Sequence, residues 1–257
     1  MAALPPNPIP MTDPNTSVRY FIADLHLDGR DNERALAFRA FLARLGEEAK
    51  ARPVELYILG DLFEFWYEYR SQLFELYAAD LRALSSAWEA GVKIFLFFGN
   101  RDFAYGKYVN RRFGATVLGD GQQIILHDHR PLWMEHGDLL CTDDRKYLRF
   151  RSIIRSAPMR ILFFLMPWSM ARRTIDKIRA RSNADKATKS AREVDINHEA
   201  ARKRLEQTKS RLLLCGHTHR PCSEDLGAGY RFIVLQPWCE KAGGFVDDSR
   251  GFRAFTP

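Results

Sequence analysis

The sequence predicts a layered α/β fold. Short apolar runs alternate with longer amphipathic stretches through the first half of the 257 residues, an order typical of a sheet covered by helices. Asp, His and Asn side chains recur directly after the apolar runs, where the strands of such a sheet end. The composition, 46% hydrophobic and 28% charged, is ordinary for a globular protein, and the length suffices for one large domain with a substantial core.

The first half is predicted to contain three strands and two helices. The strands are continuous apolar runs, and the helices carry apolar residues near helical spacing. In chain order the elements are strand 18–23, helix 31–50, strand 54–59, helix 73–90 and strand 93–98. Gly91 directly follows the second helix and is expected to end it as a C-cap.

A β-hairpin is predicted next, with strands 122–126 and 131–134. The polar turn between them contains His127, Asp128 and His129, a triplet that resembles a metal cluster. Its place between two strands favours a hairpin turn over a metal site.

The rest of the chain is predicted as a helical cap, a return to short strands and an N-terminal tail. Residues 145–207 are helical in pattern, interrupted by Pro158 and Pro167. Short strands are expected from 211 to 257. Residues 1–17 are proline-rich and lack the basic region and long apolar core of a secretory signal, so they are expected to form a flexible tail outside the domain of residues 18–257.

Five short motifs carry the side chains with chemical potential. They are Asp24-Leu25-His26, Gly60-Asp61, Gly99-Asn100-Arg101-Asp102, His136-Gly137-Asp138 and Gly216-His217-Thr218-His219. Four directly follow a strand-like run, and the carboxyl ends of strands in a layered α/β sheet share the edge where ligands bind. Carboxylate, imidazole and amide oxygen together suit a borderline divalent metal. The candidate ligand side chains are numerous enough to hold two ions that share one Asp.

The order of these motifs resembles that of the calcineurin-like metallophosphoesterase superfamily: D-x-H, GD, GN[HR]D, GH and GH-x-H, over about residues 20–219. The resemblance implies a β-sandwich flanked by helices, with the cap at about 145–207 as an insertion. Longer stretches of the sequence narrow the resemblance to one family within this superfamily. Arg101 within GNRD, and the string His-Gly-Asp-Leu-Leu-Cys-Thr-Asp-Asp from His136, are similar to the UDP-2,3-diacylglucosamine hydrolase family of lipid A biosynthesis.

The resemblance implies a dinuclear metal centre, most simply of Mn²⁺. One ion would be held by Asp24, His26, Asp61 and His219, and the other by Asp61, Asn100, His136 and His217. Asp61 would bridge them. Two such ions activate a hydroxide for attack on phosphorus, so no nucleophilic side chain is needed.

Three consecutive residues are the predicted catalytic group. Asn100 is also a metal ligand. The Arg101 guanidinium fits stabilisation of negative charge in the transition state, with a surface Arg–Asp pair as the alternative. Asp102 is expected to orient a metal-bound histidine.

Substrate contacts are implied at five further positions. These are Asp144 and Tyr147, near the nucleotide or glucosamine, and Ser182, Lys186 and Lys189 in the cap, near the sugar and phosphates. Three departures from the family pattern leave the exact substrate open. Lys186 stands where Asn is expected, residues 67–70 replace Gly-Asp-Asp, and residues 235–238 replace Leu-Gly-x-Trp.

Charge and apolarity in the cap suggest a lipid partner. The chain carries +7, yet residues 145–181 alone carry +10, with eleven basic side chains and one acid. Such a block suggests an anionic partner, the alternative being a solvated helix face. Residues 161–166 are an apolar run too short to span a bilayer, which takes about 20 apolar residues. With its arginine flanks, the run suits an interfacial element or an acyl-chain wall, and packing of the cap onto the domain is compatible with either.

The sequence thus predicts a metal-dependent phosphodiesterase that cleaves the pyrophosphate bond of UDP-2,3-diacylglucosamine. A cytoplasmic location is expected, because four cysteines without a C-x-x-C motif indicate a reducing compartment. The basic and apolar cap, together with the resemblance, implies association with the inner membrane surface. The alternatives are another nucleotide-diphosphate or lipid-phosphate substrate, or a non-catalytic basic module that binds membrane or nucleic acid. Nucleic acid is disfavoured because aliphatic residues interrupt the basic block. The sequence leaves the oligomeric state open.

Overall fold

Two β-sheets form the centre of the molecule in a computed structural model that describes residues 17–68, 70–102, 104–177 and 195–257. The strands are β1 (Val18–Ile22), β2 (Val54–Ile58), β3 (Lys93–Phe97), β4 (Thr116–Gly119), β5 (Gly121–Ile125), β6 (Pro131–Glu135), β7 (Leu212–Cys215), β8 (Cys222–Gly227), β9 (Tyr230–Val234), β10 (Gly244–Asp248) and β11 (Gly251–Phe255). The helices are α1 (Glu33–Ala49), α2 (Ser71–Leu76), α3 (Ala78–Glu89), α4 (Lys107–Phe113), α5 (Arg145–Ile154), α6 (Ala157–Leu165) and α7 (His198–Thr208).

The first sheet has the order β11-β10-β1-β2-β3-β4, and the second β5-β6-β7-β9-β8. β1 to β4 run parallel to one another, as do β6, β7 and β9. Parallel strands need helical crossovers, which is why the first half of the sequence alternates strand and helix. The parallel strands bring their carboxyl ends to one edge of each sheet.

The sheets pack face to face. Phe21, Tyr57 and Phe95 of the first sheet share one buried apolar cluster with Met134 and Leu214 of the second. On the outer side of the first sheet, α1 and α3 contribute to a separate core with β1, β2 and β3. Residues that alternate along each strand therefore serve two cores, and the strands are mostly apolar because both faces are buried. The exceptions in β1 and β2 are Arg19 and Glu55, which are buried as an ion pair at 3.3 Å. The predicted layered α/β fold is confirmed.

The predicted helix 73–90 is two helices in the structure. The break lies at Tyr77, whose φ of −100° and ψ of 18° leave the helical region. Its ring is buried against Phe63, with ring centroids 4.5 Å apart, so tertiary packing overrides the continuous helical pattern. Gly91 follows α3 at φ 105°, which a side chain would strain, as its place in the sequence predicts.

The hairpin of β5 and β6 forms with the expected antiparallel pairing. His127 Nδ1 lies 2.8 Å from Asp247 Oδ2 of β10, and Asp128 pairs with Arg130. His129 adopts φ 64°, the left-handed conformation of a tight turn. The turn interpretation of this His-Asp-His triplet is therefore the correct one.

The segment 145–207, predicted as a cap, contains α5, α6 and most of α7. α5, α6 and a helical stretch at 168–177 precede the undescribed residues, but α7 packs on the outer face of the second sheet. Leu205 and Ala201 of α7 are fully buried against Leu213 and Phe232. The amphipathic pattern of α7 thus serves the sandwich and not the cap. Of the predicted tail, residues 1–16 lie outside the described part, and no described helix has the length and apolarity to cross a membrane.

Candidate metal centre

Loops after five parallel strands bring all seven predicted ligands together at one edge of the sandwich. Asp24 and His26 follow β1, Asp61 follows β2, Asn100 follows β3, His136 follows β6, and His217 and His219 follow β7. The first sheet supplies the carboxylates, the amide and one imidazole. The second sheet supplies three imidazoles. The centre therefore forms only when the two sheets pack with these strand ends side by side.

One group of donor atoms gathers around His26 and His219. Their Nε2 atoms lie 3.1 Å apart. Asp24 Oδ1 is 3.7 Å from His219 Nε2, and Asp61 Oδ2 is 3.7 Å from His26 Nε2. The carboxylates and the imidazoles thus face one small volume.

A second group gathers around Asn100. Its Oδ1 lies 2.9 Å from His217 Nδ1 and 3.0 Å from His136 Nε2, and these two nitrogens are 3.3 Å apart. Asp61 Oδ2 is 3.8 Å from His136 Nε2, nearly the distance that separates it from His26. Asp61 therefore stands between the two groups, where a bridging ligand must stand.

These residues fit a pair of divalent cations. Asp24 Oδ1 is buried and has no hydrogen-bond donor within the described residues. A buried carboxylate oxygen without a donor is costly unless a cation compensates it. Imidazole nitrogens that face one another at 3.1 and 3.3 Å, with carboxylate and amide oxygens beside them, form a donor set for borderline metals.

The ligand-bearing loops have an unusual backbone. Non-glycine residues with positive φ concentrate in them, at values from 48° to 72°. They are Asp24, His26, Asp61, His217 and His219. Each such residue costs roughly 1 kcal/mol or more, and such strain clusters at functional sites because the surrounding structure holds it in place.

Two motif glycines are explained by close approach. Gly60 has φ 85°, and a Cβ there would stand 2.6 Å from His136 Nδ1. A Cβ on Gly99 would overlap the Asp61 side chain. The GD and GN motifs therefore contain glycine because the two ligand loops touch at these positions.

Two of the candidate histidine ligands, His136 and His219, are hydrogen-bonded through their other ring nitrogen, and a carboxylate lies near that nitrogen of a third, His26. His136 Nδ1 donates to the Leu59 carbonyl at 2.8 Å, which leaves Nε2 to face Asn100 and Asp61. His219 Nδ1 lies 3.2 Å from Glu240 Oε1. His26 Nδ1 lies 3.6 Å from Glu64 Oε1. Such partners fix the ring and its tautomer.

Glu64 was not singled out from the sequence, although it links two predicted site residues. One carboxylate oxygen faces His26, and the other accepts from Arg101 Nη1 at 3.0 Å. Arg101 Nε is 4.0 Å from Asp61 Oδ2, and the Arg101 backbone N–H donates to Asp61 Oδ1 at 2.9 Å. The guanidinium thus lies beside the bridging carboxylate. The only available signal was the place of Glu64, three residues after Asp61.

Asp102 differs from its predicted role. Its hydrogen-bond donors among the described residues are Tyr105 Oη and four backbone amides, and no histidine is among them. The amides are those of Asp61 at 3.1 Å, Gly99 at 3.1 Å, Leu62 at 2.6 Å and Phe63 at 3.2 Å. Asp102 therefore braces the Asp61 and Asn100 loops against each other. Burial, together with repulsion from Asp61, raises the pKa of this carboxyl to about 6.

The pKa values of the two buried carboxyls, Asp24 and Asp61, are shifted in opposite directions. Burial raises the pKa of Asp24. Burial acts in the same sense on Asp61, but His136, His26 and Arg101 outweigh it and hold the pKa of Asp61 well below its usual value. Asp61 is therefore ionised in the metal-free chain, as a bridging ligand has to be.

Two of the five predicted substrate residues, Asp144 and Tyr147, lie in the described part of the chain. Tyr147 lies at the rim of the centre, with its ring 6.1 Å from that of His217 and its hydroxyl donating to Asp138. Asp144 caps α5 by accepting from the Tyr147 amide at 3.0 Å, a structural use of the side chain. Ser182, Lys186 and Lys189 lie outside the described residues.

Comparisons with known proteins agree with this geometry. The sequence profile of the calcineurin-like phosphoesterases matches residues 19–221. The UDP-2,3-diacylglucosamine hydrolase of Aeromonas hydrophila is 38% identical over 88% of this chain and 92% of its own length. The enzymes of that name from Haemophilus influenzae and Escherichia coli are 36% and 37% identical, each over 85% of this chain and 90% of its own.

Among solved structures, a dimetal phosphatase from Danio rerio aligns over 94% of this chain and 99% of its own, with 12% identity and a TM-score of 0.48. The profile match covers all five motifs, from Asp24 to His219. Members of the matched family act through a dinuclear divalent metal centre. This chain is a metal-dependent hydrolase that belongs to the calcineurin-like phosphoesterase family and, within it, to the UDP-2,3-diacylglucosamine hydrolases.

Proposed function

We propose that this chain hydrolyses the pyrophosphate bond of UDP-2,3-diacylglucosamine, giving UMP and 2,3-diacylglucosamine 1-phosphate in lipid A biosynthesis. The observation that carries the proposal is the position of Asp61 Oδ2, 3.7 Å from His26 and 3.8 Å from His136, between two complete ligand groups. Relatives that match over most of both chains carry the name of this activity.

Two Mn²⁺ ions are the proposed cofactors. Asp24, His26, Asp61 and His219 would hold one, and Asp61, Asn100, His136 and His217 the other. When bound, such a pair polarises phosphoryl oxygens and lowers the pKa of water, which supplies the nucleophile.

The protein's own contribution is to position charge. Glu64 and Asp61 hold the Arg101 guanidinium at the edge of the centre. A guanidinium fixed there stabilises the negative charge that develops on the phosphoryl oxygens. Asp102 keeps the two loops that carry Asp61 and Asn100 at a fixed distance, so little reorganisation is needed during the reaction.

The cap supplies the lipid side of the proposal. α6 has two apolar faces: Phe163 is 7% exposed and packs on the domain core, whereas Ile161 and Leu165 are 59% and 71% exposed. The inward face, at Phe163, corresponds to the alternative in which the apolar run packs the cap onto the domain. The outward face, with Arg172 and Arg173 nearby in the chain, supports contact with acyl chains and an anionic inner membrane surface at the cytoplasmic side. Nucleic acid is not a proposed partner.

A substrate panel tests the proposal. The purified protein with Mn²⁺ would be given UDP-2,3-diacylglucosamine, the non-acylated UDP-glucosamine and a small soluble phosphodiester, and UMP release would be followed. We expect kcat/KM for the diacylated substrate to exceed that for UDP-glucosamine by orders of magnitude, and the Asp61→Asn variant to lose activity on all three. Equal rates on both nucleotide sugars would favour another nucleotide-diphosphate substrate. No turnover of any phosphodiester with full metal content would favour a non-catalytic module.

A further inference from the structure

The departure from the family pattern after Trp66 contacts the cap. Tyr67 Oη donates to the carbonyl of Arg160, and Arg70 Nη2 donates to the carbonyls of Phe163 and Met166, the latter at 2.5 Å. All three carbonyls belong to α6 or to the residue that ends it. Two side chains from the metal-binding domain therefore hold one cap helix by its backbone.

The position of Arg70 suits the end of a helix. The last four carbonyls of a helix have no partner within it, and they carry the negative end of the helix dipole. A guanidinium that donates to the carbonyls of Phe163 and Met166 satisfies both needs. Because α6 contains no basic residue in its last turn, this charge comes from outside the helix.

Apolar packing reinforces the same contact. The Phe163 and Tyr67 rings lie with centroids 6.0 Å apart, and both side chains are buried. Phe163 is the buried side chain of α6, whereas its sequence neighbours Leu162, Phe164 and Leu165 are exposed. Tyr67 and Arg70 therefore hold the helix to the domain beside the packing of Phe163, and Met159 and Met166 pack against the same core.

The segment that holds α6 is itself tied to the metal loops. The Trp66 amide donates to the carbonyl of Arg101 at 3.3 Å, and the Glu68 amide to that of Ala104 at 3.2 Å. The Glu68 carboxylate, which is buried, accepts from the amides of Gly106 and Tyr108. A displacement of α6 would therefore be resisted by the backbone of the loop that contains Arg101.

The other cap helix is attached differently. Arg155, the residue that ends α5, donates to the Gly99 carbonyl at 2.7 Å and pairs with Asp120 at 2.6 Å. Arg151 pairs with Asp138 at 2.7 Å. α5 therefore rests on the loops of the metal centre directly, and α6 reaches them through Tyr67 and Arg70.

We propose that Tyr67 and Arg70 form a clasp that fixes α6 over the domain, and that they are positioning residues for the lipid part of the substrate. This inference rests on the proposed function, because it assigns the outward apolar face of the cap to acyl chains. The clasp acts through the backbone of α6, so it sets where the cap stands without contacting the reacting atoms. The departure at residues 67–70 is then a device for holding the cap.

The test compares Arg70→Met and Tyr67→Phe with a matched control, Arg231→Met, which removes an arginine of β9 in the second sheet, 3.4 Å from Asp225. Hydrogen exchange is measured on the metal-loaded full chain, and KM and kcat on the diacylated substrate and on bis(p-nitrophenyl) phosphate. For Arg70→Met we expect faster exchange confined to α6 and residues 168–177. We also expect KM for the diacylated substrate to rise roughly tenfold, equivalent to about 1.4 kcal/mol, with kcat and the soluble phosphodiester unchanged. Tyr67→Phe should shift both readouts in the same sense and less.

Two results would overturn the clasp as a positioning device. Unchanged exchange in α6 would mean that Arg70 does not hold the helix. Faster exchange with unchanged KM would mean that the contact stabilises the cap without positioning substrate. The exchange arm needs no substrate, so a wild-type protein that ignores the diacylated substrate would count against the proposed function, while exchange would still decide whether the clasp exists.

Discussion

At the scale of single residues, the candidate metal ligands could be predicted from the sequence. The roles of Glu64 and Asp102, which hold the ligand loops and side chains in place, could not. Asp61 and the other ligands are rare side-chain types in a fixed order after strand-like runs. Glu64 and Asp102 act through contacts that depend on how loops cross: a carboxylate between two side chains, and a carboxylate that gathers backbone amides. No spacing rule encodes those crossings, so the structure had to supply both roles.

Asp61→Ala is predicted to be the most damaging ligand substitution. It removes the one carboxylate that faces both ligand groups, so both ions lose a donor at once. The variant should contain fewer than two metal equivalents and lose more activity than the terminal-ligand variant Asp24→Ala. Metal content by mass spectrometry and turnover of a soluble phosphodiester measure this. A variant that retains two equivalents and near-normal turnover would exclude a bridging Asp61.

Arg101→Ala is predicted to keep its metals and lose rate. The guanidinium contacts Glu64 and lies near Asp61, but it offers no lone pair to a cation. One lost charge-assisted contact of this kind lowers kcat by about 10²–10³. Arg101→Lys should recover part of it, since Lys lacks the planar fork. If metal content falls with activity, Arg101 belongs to the support of the site.

At the scale of elements, periodicity located β1, β2, β3, β5, β6 and the first helix, but it missed β4 and failed where packing decides. Tyr77 breaks a continuous helical pattern because its ring is buried beside Phe63. The amphipathic pattern of α7 does not reveal that its apolar face packs on the second sheet, because the pattern is the same whether that face meets a cap or a sheet. α4 was missed because its seven residues are too few for a clear period.

The apolar run of the cap gives an element-scale prediction. Leu165→Asp changes a side chain that is 71% exposed, so stability should stay nearly constant while binding to anionic vesicles falls and KM for the diacylated substrate rises. Phe163→Ala empties a buried position and should lower stability by about 3 kcal/mol instead. Vesicle flotation at low and high salt, with thermal unfolding, separates the two. Equal losses of vesicle binding in both variants would mean that the run only packs.

At the scale of the whole molecule, the metal centre depends on two sheets that pack with their ligand-bearing strand ends side by side. The family pattern conveyed that architecture, because five motifs in order imply strand ends at one edge. It did not convey how α6 is held. Residues 67–70 depart from the pattern, so the resemblance is silent at the point where Tyr67 and Arg70 contact the cap. Features peculiar to this chain were therefore the least predictable from its sequence.

Global stability should also depend on pH through Asp80 of α3, whose side chain faces Arg39 of α1. Its side chain is 1% exposed, and its Oδ1 is 3.4 Å from Arg39 Nη1. Burial raises the pKa of this carboxyl from 3.8 to about 6, with Arg39 opposing the shift. The folded state then holds the Asp80 proton more tightly than the unfolded chain does. The stability that comes from this group is complete below pH 3.8 and is lost as pH rises through 6.

Asp80→Asn is therefore predicted to stabilise the protein at pH 8, because the amide mimics the protonated carboxyl and carries no buried charge. A shift of this size corresponds to at most about 3 kcal/mol, which sets the upper limit of the gain. Wild type and variant would be unfolded in urea at about pH 4.5, 5.5, 6.5 and 8. The difference in their free energies of unfolding should grow with pH and level off above the folded pKa of Asp80. Using the difference between the two proteins cancels the titration of all other groups. A variant that is less stable than wild type by the same amount at every pH would show that the Asp80–Arg39 ion pair outweighs the cost of burying the charge.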